Sequence, residues 1–306
     1  MHILLIFIDG IGLGEDDPAT NPFAVANTPT LHALAGHQRW LKSTPRTESD
    51  RAIFIPTDTR FGIPGRPQSA SGQAAILTGR NVPAEIGEHY GPKPTPAIRA
   101  ILAENNLFKT LTTQGKQAAL LDAYPPPFFE GINSGKRLRS SIQEAAFQGG
   151  VPIRTVEDFY AGRALSADWT GQGWRDMLGY ADAPVYSPAE AGAYMAALAR
   201  SYDFSLFSTW ISDEIGHRGP FKRGVEYLEL FDAVMAGVLA AWDDNDGLII
   251  ITSDHGNMED LSIRQHTEND VPTVIIGGAR NSYAENFHSL IDITPHVLQA
   301  LLPSSS

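Results

Sequence analysis

The sequence of 306 residues contains no cysteine. This absence excludes disulfide bonds, zinc sites made of thiolates, iron–sulfur clusters and catalysis by a thiol nucleophile. A metal ion bound by this chain must therefore be held by carboxylate, imidazole or hydroxyl groups.

Basic residues are also scarce, with 23 lysines and arginines against 35 acidic residues and a net charge of −12. No basic block interrupts this acidic balance, which argues against binding to nucleic acid or to an anionic membrane surface. The apolar run at residues 3–8 stops at Asp9 and is too short for a membrane span, and because no basic residues precede it we expect a buried strand rather than a signal peptide. We therefore expect a cytoplasmic protein, and the sequence gives no indication of its oligomeric state.

Short apolar runs separated by helical patterns predict an α/β fold. The apolar runs predict buried strands of a parallel sheet at residues 3–8, 118–121, 204–210 and 248–252, with a possible fifth at 274–276. The helical patterns lie at residues 96–111, 189–201, 225–242 and 293–301. This alternation predicts one domain over residues 1–306, with helices on both faces of an open sheet. Residues 130–185 are the least regular part and form either a partial lid or long loops.

An acidic residue follows each of three predicted strands, namely Asp9, Asp213 and Asp254. Ligands of open α/β sheets bind at the carboxyl ends of the strands, so we expect these carboxylates to lie together. Three such charges would repel one another unless a cation neutralised them. The alternative for each aspartate taken alone is the capping of the next helix.

Histidines accompany two of these aspartates. His217 lies four residues after Asp213, on the same face of a helical turn. His255 directly follows Asp254, and His266 precedes the next strand. A set of carboxylate and imidazole ligands suits zinc or manganese.

The segment at residues 67–79 predicts a short helix with two hydroxyls, Ser69 and Ser71, in its first turn and Gly79 at its end. The free N–H groups of a helix start attract phosphate, and a hydroxyl beside a metal ion can act as a nucleophile. The alternative is an ordinary serine cap.

Seven motifs give these residues a common context. They are, in chain order, FIDGIGLG, ANTPTLHALA, SASGQAAILTG, YDFSLFSTWISDEIGH, TSDHGNMED, QHTENDVP and LIDITPHVLQALL. In this order the chain resembles the alkaline phosphatase superfamily, and most of all its metalloenzyme branch with cofactor-independent phosphoglycerate mutase and phosphopentomutase. The resemblance implies a three-layer α/β/α sandwich with a mostly parallel central sheet.

The resemblance also implies two divalent metal ions, manganese or zinc, and a covalent intermediate on Ser69. It implies the following ligands: Asp9, Ser69, Asp254 and His255 for one ion, and Asp213, His217 and His266 for the other. In the family this serine is phosphorylated, and the phosphoryl group then passes to water or to a second position of the substrate.

Two departures from the mutases favour hydrolysis. Gln73 occupies a position at which the mutases have a histidine, and little of the chain is left for a cap domain as large as theirs. We therefore expect a two-metal phosphohydrolase, a phosphatase or phosphodiesterase, that acts on a small phosphorylated substrate. The alternatives are a phosphomutase and a non-catalytic metal-binding protein of the same fold.

The sequence does not identify the residues that bind the substrate. Several basic residues either bind a phosphate or carboxylate group of the substrate, or are solvated charges on the surface. They are Arg80, Lys136, Arg137, Arg218, Lys222 and Arg223.

Overall fold

The computed structural model describes residues 1–302. The strands are β1 (His2–Ile8), β2 (Thr47–Glu48), β3 (Ala52–Thr57), β4 (Ala118–Leu120), β5 (Ala123–Tyr124), β6 (Arg154–Thr155), β7 (Phe204–Thr209), β8 (Gly247–Thr252) and β9 (Val271–Ile276). The helices are α1 (Pro29–Leu34), α2 (Ser69–Thr78), α3 (Val82–Ile86), α4 (Pro96–Glu104), α5 (Leu107–Thr113), α6 (Pro126–Asn133), α7 (Ser141–Gln148), α8 (Val156–Tyr160), α9 (Gln172–Asp176), α10 (Pro188–Ala199), α11 (Ile211–Arg218), α12 (Phe221–Ala241), α13 (Arg280–Ala284) and α14 (Ile293–Leu301). Short 3-10 helices lie at Pro22–Ala24 and Leu290–Asp292. None of the helices within residues 1–302 combines the length and apolar character needed to cross a bilayer.

The main sheet has the strand order β2-β3-β9-β8-β1-β7-β4. Neighbouring strands among β8, β1, β7 and β4 pair in parallel, as predicted. β9 pairs antiparallel with both β8 and β3, so the placing of residues 274–276 in a parallel sheet was wrong. For β9 to pair in parallel with β8, the chain would have to cross back over the sheet, usually through a helix. Residues 253–270, which connect the two strands, contain no helix.

Side chains of the central strand alternate between two hydrophobic cores. Leu4, Ile6 and Ile8 of β1 point into a core that also contains residues of α10 and α12. Ile3, Leu5 and Phe7 point into a second core with residues of α2, α4, α5, α7 and α14. Because a strand presents successive side chains to opposite faces, both faces of the sheet are covered by helices. The predicted three-layer α/β/α architecture is confirmed.

The helix predicted at residues 96–111 is two helices. Asn106 separates them, because its side-chain oxygen accepts a hydrogen bond from the backbone N–H of Lys109 at 3.0 Å and so caps α5. The helix predicted at residues 225–242 begins four residues earlier, and the one at residues 293–301 has the predicted bounds.

Residues 123–187, which we call the cap segment, contain β5, β6 and the short helices α6 to α9. Part of the segment has its own small core, formed by Ala123, Val156, Phe159, Ala164, Trp174 and Ala183. By contrast, α7 contributes Ile142 and Ala145 to the core beneath the sheet. The cap segment is thus anchored to the main body through α7.

Candidate metal centre and active site

The three aspartates predicted to meet do meet at the carboxyl ends of the parallel strands. Asp9 follows β1, Asp213 lies in the first turn of α11 after β7, and Asp254 comes two residues after β8. Gly10 has a φ of +73°, and a Cβ atom placed there would lie 2.8 Å from the Cα atom of Asp213. Glycine is therefore required for the turn after β1 to approach α11 this closely.

One group of side chains surrounds His255, which is fully buried. Its Nε2 atom lies 2.9 Å from Ser69 Oγ, 3.3 Å from Asp9 Oδ1 and 3.7 Å from Asp254 Oδ2. Asp9, Asp213 and His255 also bring ligand atoms within 4.8 Å of one another. Asp213 is thus close to the first predicted ligand set as well as to its own.

A second group consists of Asp213, His217 and His266. The Nε2 atoms of the two histidines are 3.2 Å apart, and each lies 3.4–3.5 Å from an oxygen of Asp213. The Nδ1 atom of His266 lies 2.9 Å from the carbonyl oxygen of Pro67, which orients the ring. The rings of His255 and His266 stack at 3.7 Å, so the two groups adjoin. The structure therefore brings together all seven residues of the predicted site.

These side chains are suited to hold divalent cations. Asp9 Oδ1 and Asp254 Oδ1 are buried and have no hydrogen-bond partner within residues 1–302. Such oxygens are costly to bury unless something else satisfies them. A tetrahedral ion with bonds of about 2.1 Å separates its ligand atoms by about 3.4 Å, close to the spacings in both groups. The residues present thus fit a metal centre.

Burial and the close packing of charges also shift the pKa values of the side chains in this cluster. Burial, together with the charges of Asp254 and Asp213, raises the pKa of Asp9 well above its usual range. Burial and Asp213 raise the pKa of Asp254 to about 7, and burial and His266 lower the pKa of His255 to about 3. Burial also acts to raise the pKa of Asp213, but a hydrogen bond with His266 and the charge of His255 outweigh it and lower that pKa. Carboxylates packed this closely favour a cation.

The two serines of α2 have different environments. Ser69 is the first residue of the helix, and its hydroxyl faces the metal centre. The Ser71 hydroxyl instead donates to the Gln68 carbonyl at 3.2 Å and accepts from the Tyr90 N–H at 3.0 Å. The geometry thus places the Ser69 hydroxyl, and not that of Ser71, among the candidate ligands.

Three residues outside the predicted ligand sets support this arrangement. Gln73 Nε2 lies 3.4 Å from an oxygen of both Asp9 and Asp254, so it bridges two carboxylates. Asn257 donates to Asp213 Oδ1 at 2.7 Å. Glu259 is 1% exposed and joins the loop after β1 to its own loop at residues 253–270 by accepting hydrogen bonds from Gly12, Asn257, Thr267 and Asn269. Its position in the DHGNMED motif was the only sign of it in the sequence.

A cavity of about 540 Å³ opens above the centre. Asp9, Ser69, Gln73 and Asp213 line it on one side, and residues of the cap segment line it on the other. Its volume lies within the range of about 300–1,000 Å³ that is usual for small-molecule sites.

The basic candidates divide into two kinds. Arg137 and Arg223 line the cavity, together with Lys93, which the sequence analysis missed. The other four do not line it. Arg80 pairs with Glu85 and Glu104, Arg218 with Glu214, and Lys222 with Glu226, while Lys136 is exposed.

Sequence comparison relates part of the chain to known metalloenzymes. Residues 186–304 match the family model described as the metalloenzyme superfamily. This part of the chain, 119 of its 306 residues, is similar to that superfamily. Two relatives are the 2,3-bisphosphoglycerate-independent phosphoglycerate mutases of Methylobacillus flagellatus, 33% identical over 110 residues, and of Antithamnion sp., 31% identical over 144 residues. These matches cover 34% and 42% of the chain but only 21% and 28% of the relatives, so the chain spans about a quarter of their length.

Solved structures with the same α/β fold superpose on nearly the whole chain. The PH0037 protein from Pyrococcus horikoshii superposes with a TM-score of 0.58 and 16% identity, covering 100% of this chain and 98% of its own. Alkaline phosphatase from the Antarctic bacterium TAB5 superposes with a TM-score of 0.54 and 13% identity, covering 98% and 97%. At these identities the likeness establishes the fold alone.

Proposed function

We propose that the protein is a two-metal phosphohydrolase that forms a phosphoserine on Ser69. The observation that carries this proposal is the position of the Ser69 hydroxyl. It lies at the start of α2, on the floor of the cavity, 2.9 Å from His255 Nε2 and beside carboxylates with unpartnered oxygens. Attack by this oxygen on a phosphate ester would release an alcohol, and water would then release inorganic phosphate from the serine.

The side chains have distinct tasks in this proposal. Asp9, Asp254 and His255 would hold one ion beside the Ser69 oxygen, and Asp213, His217 and His266 would hold the other. Divalent ions, manganese or zinc, would lower the pKa of the attacking oxygen and neutralise charge on the phosphoryl group and the leaving oxygen. His255 and His266 must present neutral Nε2 atoms to bind metal, and the bond of His266 Nδ1 to the Pro67 carbonyl supports that tautomer.

A phosphomutase is the second candidate, and two observations favour it. Curated relatives are named as phosphoglycerate mutases, although they align over only part of the chain. The cap segment also lines the cavity above Ser69, where it could keep water from a phosphoserine. Against it, Gln73 occupies the position at which the sequence analysis expected a histidine in a mutase, and it bridges Asp9 and Asp254.

Phosphorus NMR of the manganese-loaded protein distinguishes the two candidates. We expect inorganic phosphate from aryl phosphates, a phosphate monoester as the first product from phosphodiesters, and no conversion of 3-phosphoglycerate to 2-phosphoglycerate or of ribose 1-phosphate to ribose 5-phosphate. Clean isomerisation with little free phosphate would favour the mutase. No turnover of any ester by protein that holds metal would favour the non-catalytic interpretation.

A further inference from the structure

The outer wall of the cavity is apolar. Met177 and Leu178 of the cap segment line it and are 71% and 46% exposed. Deeper in the cavity lie Phe128 and Trp174, which are buried, and Trp174 is fixed by stacking on Phe159 at 4.9 Å. Exposed large apolar side chains that face a cavity indicate contact with an apolar group.

Two cations line the same cavity without an acidic partner. Neither Lys93 nor Arg137 forms an ion pair with an acidic residue within residues 1–302, although both line a cavity that contains Asp9 and Asp213. The Arg137 guanidinium lies 5.1 Å from the centre of the Phe128 ring, which in turn stacks on Tyr124 at 4.4 Å. Two neighbouring cations held in this way suit an anionic group of a ligand.

We propose that the substrate is a phosphate ester of an apolar alcohol of about the size of an aromatic ring. Lys93 and Arg137 bind its phosphate oxygens, and Met177 and Leu178 cover its apolar body. This proposal rests on the proposed function, because it takes Ser69 and the metal centre as the place of the phosphoryl group. The short hydrophilic body of a glycerate or sugar phosphate would leave the apolar wall uncovered.

Calorimetric titration with two phosphonates, which have no ester bond to cleave, tests the apolar contact. We expect the manganese-loaded protein to bind phenylphosphonate at least about tenfold more tightly than methylphosphonate, because only the phenyl ring is removed from water. Replacing both wall residues, Met177→Ser with Leu178→Ser, should abolish most of this preference and leave methylphosphonate binding unchanged. Phe147→Ser is the matched control, since Phe147 is 51% exposed and does not line the cavity.

The same titration tests the cations. Arg137→Met should weaken both phosphonates by similar factors, whereas Lys136→Met, which removes a neighbouring cation outside the cavity, should weaken neither. Equal binding of the two phosphonates by the unchanged protein would overturn the proposal, as would a preference that survives the double substitution. Binding of neither would overturn it too. Phosphoserine on Ser69 in a separate assay would then show that the proposed function stands without this substrate class.

Discussion

Glu259 provides a quantitative test of how the site is held together. Its Oε2 atom accepts the backbone N–H of Gly12 at 3.0 Å and of Asn257 at 2.7 Å, and its Oε1 atom accepts from Asn269 Nδ2 at 3.1 Å and from the Thr267 hydroxyl. Glu259→Ala would leave two buried backbone donors without a partner. At about 1–3 kcal/mol for each donor, we expect the free energy of unfolding to fall by about 2–6 kcal/mol.

Urea denaturation of the metal-free protein measures this loss. Glu268→Ala is the matched control, because Glu268 lies in the same loop and is exposed. It should change the free energy of unfolding by no more than about 0.5 kcal/mol. Since the loop that Glu259 holds in place carries Asp254, His255 and His266, we also expect Glu259→Ala to weaken metal binding by about 10–100-fold. Stability and metal affinity equal to those of Glu268→Ala would refute the role of Glu259.

Three further predictions concern metal, nucleophile and pH. Metal analysis should find about two divalent ions per chain at saturation, and His266→Ala should lose one of them. Chelation should lower the melting temperature, because Asp9 and its neighbours then repel one another. One ion or none in the unchanged protein would contradict this prediction. Ser69→Ala should abolish turnover, whereas Ser71→Ala should retain much of it with some loss of stability, and the reverse result in a phosphate-release assay would contradict our assignment. Burial raises the pKa of Asp122 to about 7, although hydrogen bonds from Ser208 act to lower it. The carboxyl group therefore ionises at lower pH in the unfolded chain than in the folded protein. Stability should therefore fall as the pH rises from about 4 to about 7, and Asp122→Asn should reduce this slope in denaturation curves; an unchanged slope would refute it.

The sequence revealed those parts of the fold that depend on local pattern. The strands β1 and β8 are almost uniformly apolar because helices cover both of their faces, so their positions could be predicted. The strand β3 was missed. It contains Pro56, which argues against a strand, but Pro56 faces Pro272 across the antiparallel pair with β9. The orientation of β9 depends on the path of the loop at residues 253–270, and the apolar pattern of a strand does not predict the path of a loop.

The candidate site could be predicted to a similar degree. Asp9 and Asp254 were identifiable because each comes soon after an apolar run, and parallel strands bring such residues to one edge. Lys93 was missed because it lies in a loop between two prolines, where a lysine usually indicates only surface. The role of Glu259 depends on two loops, the one after β1 and the one at residues 253–270, that meet only in the folded protein. Which ligand binds which ion, and whether the cap segment acts as a lid, remain predictions.

The phosphoserine is the central claim of this account, and mass spectrometry tests it most directly. The manganese-loaded protein would be mixed with an aryl phosphate, quenched in acid during turnover and digested. We predict a phosphorylated peptide with the phosphate on Ser69, absent from Ser69→Ala and present in Ser71→Ala. Turnover by the unchanged protein without a phosphorylated peptide, or with the phosphate on another residue, would contradict the account.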